Sequence, residues 1–233
     1  MQNLKLGSTG PAVGLLRRLL NRNVVPAPNL PEVSVYGAHY NGAMARIDFG
    51  PHMDAAVRKF QTSKKMSPTG VVDAATWRAL GLTLEIDKNV NLASQPSNDT
   101  CYAAAATMVL GPEGSKSFSP GATPAGQAAD DFWARTFARQ FGWSLEYGMT
   151  PLPVALANYL RRGAFWMAGN LPFPTGNSYH AVVIGSIWGT GDSDSTMLLV
   201  YDPWPPTKGD IYGIILGDYL TQNPMAFRYT IHQ

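Results

Sequence analysis

The spacing of apolar residues changes character near residue 164, and that change limits the folds open to the chain. Before it, apolar side chains recur three and four residues apart. In "GSTGPAVGLLRRLLNR", Val13, Leu16 and Leu20 line one helical face, with Leu15 and Leu19 beside them. Thr9 or Gly10 can cap this helix, and Pro11 suits its first position. In "GPHMDAAVRKFQTSKK", Met53, Val57 and Phe60 face inward. In "VVDAATWRALG", Asp73 is a capping residue, Trp77 and Leu80 form the apolar stripe, and Gly81 ends the helix. Three further helical stretches follow, over 101–110, 123–142 (with Phe132, Phe137 and Phe141) and 150–163. After residue 163 the apolar residues come in short β-branched and aromatic runs: "AFWMAG", "HAVVIGSIW", "TMLLVYDPW" and "AFRYTIH". Helices first and strands after predict an α+β protein, not repeated βαβ units.

The Pro- and Gly-rich stretch 24–47 reads as an irregular excursion with room for one short strand, and residues 82–94 read as a linker. Residues 1–88 then form a small all-α unit of three helices, and residues 89–233 a second, α+β unit. Charge divides along the same line. Residues 1–88 carry 11 Lys and Arg against 6 Asp and Glu, a net +5, while residues 89–233 carry 7 against 10, a net −3. The first unit is therefore the one expected to meet an anionic partner. The whole chain is only +2, which argues against a nucleic-acid partner. No run of about 18 apolar residues is present, so no membrane insertion is expected.

The first unit resembles the peptidoglycan-binding domain that accompanies many cell-wall hydrolases. The resemblance rests on "LKLGSTGPAVGLLRRLLN", "FGPHMDAAVRKFQ" and "PTGVVDAATWRAL", in the family's order. Met53 stands where the family usually has a capping Thr, Asp73 replaces a common Gly, and the excursion at 24–47 is long. The resemblance implies peptidoglycan as a binding partner.

The second unit holds the single cysteine, in "NDTCYAAAATMVL". With one cysteine there is no internal disulfide. A lone Cys can be a small buried apolar residue, but its setting here suits a nucleophile. Asp99 or Thr100 can cap a helix that starts at Cys101, which places the sulfur where the helix field favours a thiolate. Ala103 to Ala106 would let that helix approach a sheet closely. Of four histidines, His39 and His52 lie in the first unit, and His232, next to the chain end, is expected to fray. His180 opens an apolar strand, and Asp202 closes the next one. If those strands pair antiparallel, the two side chains meet, and the Asp can orient the imidazole. Gln95, six residues before Cys101, can donate to an oxyanion together with the Cys101 backbone N–H.

Q-x5-C, then H-A-V-V, then a D-P-W-P-P strand end resembles the papain-like cysteine peptidases, most of all the compact bacterial ones related to bacteriocin-processing peptidases. The resemblance covers residues 92–233, with Tyr102 where many relatives have Trp. It implies a papain-like α+β hydrolase domain with Cys101 as nucleophile, His180 as general base and acid, Asp202 as orienting residue and Gln95 as oxyanion donor. No metal-ligand spacing, P-loop or dinucleotide fingerprint is present, so no cofactor is expected.

Taken together, the two resemblances predict a cysteine amidase or endopeptidase that binds and cleaves peptidoglycan. A papain-like protease acting on a protein substrate is the alternative, and a non-enzymatic wall-binding protein is the other. "MQNLKLGSTGPAVG" does not read as a secretory signal. The corresponding expectation is an antibacterial effector, exported by a secretion machine that reads no N-terminal signal. It would act in the periplasm of target bacteria, with a cognate immunity protein to cover the Cys101–His180 cleft.

Overall fold

The computed structural model describes residues 1–31, 48–98, 100–115, 131–173, 176–222 and 227–233. Three helices among the described residues build the N-terminal unit: α1 (Pro11–Asn23), α2 (Pro51–Ser63) and α3 (Ala74–Ala79). Prolines at the first turns of α1 and α2 follow Gly10 and Gly50 as N-caps, and the Asp73 side chain accepts from the Thr76 N–H at 2.8 Å to cap α3. Leu15, Leu16, Leu19, Leu20, Val57, Phe60 and Trp77 are fully buried between these helices, as their spacing predicts. The short strand considered within 24–47 falls largely on 32–47, outside the described residues.

The second unit is helices followed by an antiparallel sheet, the α+β layout that the sequence predicts. Its helices are α4 (Cys101–Ser115), α5 (Asp131–Phe141) and α6 (Pro153–Arg162), with α7 (Leu216–Gln222) late in the chain. Gly111 breaks α4 with φ +73°, so its regular part ends at Leu110. The strands are β1 (Leu84–Asp87), β2 (Ser144–Tyr147), β3 (Phe165–Phe173), β4 (Gly176–Gly189), β5 (Thr196–Asp202), β6 (Asp210–Ile215) and β7 (Tyr229–His232). They form one sheet in the order β2-β7-β3-β4-β5-β6, and β1 pairs with the last residues of β4. Strands β1, β2 and β6 go beyond those expected from sequence. The predicted linker 82–94 thus contains a strand, with Leu84 to Asp87 opposite Gly189 to Ser186, and residue 88 as a boundary falls just after it.

Alternate residues of the central strands enter different cores. Trp166, Ala168, Ala181, Val183 and Tyr201 pack with Ala103, Ala105 and Ala106 of α4 and Phe137 of α5. Phe165, Met167, Val182, Ile184 and Val200 pack with Leu156 and Leu160 of α6 and Tyr219 of α7. Period-two alternation sends these sets to opposite faces, and the alanines of α4 let it lie close over one of them. The N-terminal unit is not separate. Its core includes Met197 of β5 and Ile215 of β6. Arg18 pairs with Asp218, and Arg22 lies 3.5 Å from Asp192 and 3.6 Å from Asp194.

Candidate active site

The strand register decides which polar residues meet. Strand β5 runs back beside β4 with Val183 opposite Tyr201 and Ile184 opposite Val200, which brings the end of β5 towards the start of the apolar run at His180. His180 Nε2 and Asp202 Oδ1 are 2.6 Å apart, and both residues are buried, 3% and 0% exposed. The Cys101 side chain lies near enough to the imidazole to help raise its pKa. Cys101 is the first residue of α4 and 3% exposed.

Burial alone pushes the His180 pKa down. The Asp202 charge and hydrogen bond, with smaller contributions from Cys101, outweigh it and raise the pKa from 6.5 to about 10. A pKa of about 10 favours the imidazolium form of the ring at neutral pH, beside the Cys101 sulfur.

Asp202 is held from three directions. Its Oδ1 also accepts the Trp204 N–H at 2.8 Å, and its Oδ2 accepts the Tyr212 hydroxyl at 3.1 Å. The turn that follows is stitched to the loop before Cys101. Gln95 N–H donates to the Pro203 carbonyl at 3.0 Å, and Thr207 N–H donates to the Gln95 carbonyl at 2.9 Å. Gln95 is fully buried. Its Nε2 donates to the Ser97 carbonyl at 2.6 Å, and its Oε1 has no partner among the described residues. Thr100, expected as a cap, turns its hydroxyl to the Ser97 carbonyl at 3.1 Å, and Asp99 lies outside the described residues. Gln95, Ser97, Thr100 and Cys101 thus form one tied loop at the helix start.

Sequence reading missed Tyr212 and the Trp204 N–H. Tyr212 sits on β6, and only that strand's pairing with β5 brings it beside Asp202. His232, expected to fray, is instead 5% exposed in β7 and stacked on Tyr159 with ring centroids 3.7 Å apart. It is held by the β2 and β3 neighbours of β7, which a position near the chain end does not reveal. Among the described residues, no group of three His, Cys, Asp or Glu could hold a metal, and no helix is long and apolar enough to cross a membrane.

Fold and site together define a mixed α+β chain with a helical N-terminal unit and a buried Cys-His-Asp constellation in its sheet unit. Residues 9–80 match the family model "Putative peptidoglycan binding domain", so the N-terminal unit is similar to domains of that family. No curated protein matches the chain.

Proposed function

We propose that the chain is a cysteine amide hydrolase that binds and cleaves peptidoglycan. The observation that carries the reading is Cys101 against His180, with His180 held by buried Asp202, in a chain whose first unit is similar to peptidoglycan-binding domains. The chain order of Gln95, Cys101, His180 and Asp202 supports a papain-like course. The Cys101 sulfur attacks an amide carbonyl carbon, and the negative oxygen is met by the Cys101 N–H and the Gln95 amide. The C–N bond breaks as the imidazolium gives its proton to the departing amine, leaving a thioester. The neutral imidazole then takes a proton from water, whose oxygen attacks the thioester carbon; the C–S bond breaks, freeing the acid and the Cys101 thiolate beside the restored imidazolium.

The test is digestion of purified sacculi followed by mass spectrometry of the soluble products. New amine and carboxyl ends are expected with the native chain and none with Cys101→Ala. Intact sacculi beside cleavage of a protein substrate would replace the wall by a protein target. As an antibacterial effector the chain would lyse a Gram-negative host only when given a periplasmic signal, and co-expression of a cognate immunity protein would prevent lysis.

A further inference from the structure

Tyr212 is buried, 3% exposed, within the core on the α6 and α7 side of the sheet. On β6 it pairs with Val200, while Asp202 pairs with Asp210. It is therefore a diagonal cross-strand neighbour of Asp202, a distance that an aromatic side chain can span. Its hydroxyl donates to Asp202 Oδ2 at 3.1 Å. The other oxygen, Oδ1, takes both the His180 ring and the Trp204 N–H. These three donors share a carboxylate that is sealed from water. A buried carboxylate oxygen without a donor is costly, so the position of the Tyr212 hydroxyl favours the one rotation that leaves Oδ1 towards the ring.

We propose that Tyr212 is a positioning residue, which holds Asp202 with Oδ1 towards His180 and so fixes the ring against Cys101. This rests on the hydrolase reading above. The phenol also shares the carboxylate's charge. Without it, Asp202 would attract the His180 proton more strongly, and the imidazolium would persist to higher pH. Loss of the hydroxyl thus has two signatures: a less ordered ring and a higher alkaline limit. Asp202→Asn moves that limit the other way, because it removes the charge itself.

The experiment uses the full chain and Tyr212→Phe, which keeps the ring that fills the core. Two readouts are taken across pH: kcat and KM on a sacculus-derived peptide, and the rate at which iodoacetate alkylates Cys101. Iodoacetate is an anion and reacts fast only while the imidazolium is present. Tyr212→Phe is expected to lower kcat about tenfold, the scale of one hydrogen bond to a charged group, with KM nearly unchanged. The alkaline limit of alkylation should rise. In the Asp202→Asn background the same change should have almost no further effect, because Tyr212 acts through the carboxylate. Equal kcat and an unmoved pH limit, additive losses in the double variant, or a Tyr212→Phe chain that does not fold would each overturn the inference. If instead the native Cys101 reacts no faster than free cysteine, the hydrolase reading itself fails, and the two failures are told apart.

Discussion

At the scale of single residues, the His180–Asp202 contact carries the most weight, because two polar groups this deeply buried must satisfy each other. With the imidazolium favoured up to about pH 10, the proposed hydrolase would have its acid for the leaving amine throughout the neutral range. Activity should therefore fall on the alkaline side as pH passes through that value. Asp202→Asn removes the charge that opposes the effect of burial, so its alkaline limb should shift down by a pH unit or more. Its loss of kcat should be smaller than that of His180→Ala, since the Asp orients the ring and carries no proton. A pH profile of kcat/KM for the three chains checks this, and an unmoved limb in Asp202→Asn would assign Asp202 another task. Stability follows the same sign. A raised histidine pKa contributes fully below 6.5 and is lost as pH rises through about 10. Cys101, Asp202 and Gln95 could be picked out in the sequence because each stands at an element end or in a loop beside one; His180, expected to open its strand, is instead the fifth residue of β4, which begins at Gly176, and was legible only as the start of the apolar run. Tyr212 could not, because it lies inside an apolar run and gains its meaning only from a neighbouring strand.

At the scale of elements, β4 shows how a glycine can place a site. The pairing of β4 with β5 shifts register between Ile184 and Ser186, leaving Gly185 as a bulge. A Cβ built on Gly185 would lie 2.4 Å from the Tyr201 ring, one residue before Asp202. The glycine therefore admits the ring that packs the last turn of contact before the site. Gly185→Ala should force the ring aside and destabilise the chain by about 1–3 kcal/mol, the usual cost of an overfilled core. Thermal or denaturant unfolding measures it, and a stability unchanged within error would mean that Tyr201 is free to move. Kinetics should suffer too, because Asp202 follows directly in the chain. The sequence displayed the element types well: the helical periods and the β-branched runs were unambiguous over long stretches. Short strands such as Leu84–Asp87 were not, because "LEID" carries little pattern and owes its strand state to the partner residues 186–189. For the same reason residues 82–94 read as a linker.

At the scale of the whole molecule, the charge asymmetry has a use inside the chain. Two of the arginines behind the +5 of residues 1–88, Arg18 and Arg22, face Asp192, Asp194 and Asp218, which belong to the −3 of residues 89–233. Arg18 also donates to the Asp194 carbonyl at 3.2 Å. Beside these pairs α1 meets the sheet directly, since a Cβ on Gly213 would lie 2.6 Å from the Pro11 side chain. Met197 and Ile215 complete the helical core, and β1 ties the connection into β4. The N-terminal unit is thus seated at the Met197 end of β5, while Asp202 ends the strand about 17 Å away, at roughly 3.3 Å per residue. This seat holds the Cys101–His180–Asp202 cluster at a fixed offset from the N-terminal unit and does not tether it loosely. Shared core and shared sheet require the two units to unfold together. Calorimetry on the full chain should show one transition, with calorimetric and van't Hoff enthalpies in agreement. Arg18→Glu sets like charges at a partly buried pair. Its cost should fall between the roughly 1 kcal/mol of an exposed pair and the roughly 3–5 kcal/mol of a buried one. It should lower that single transition as a whole, and added salt should reduce the difference from the native chain. Two resolved transitions, with Arg18→Glu moving only one of them, would show instead that the units are independent and that their contact carries no stability.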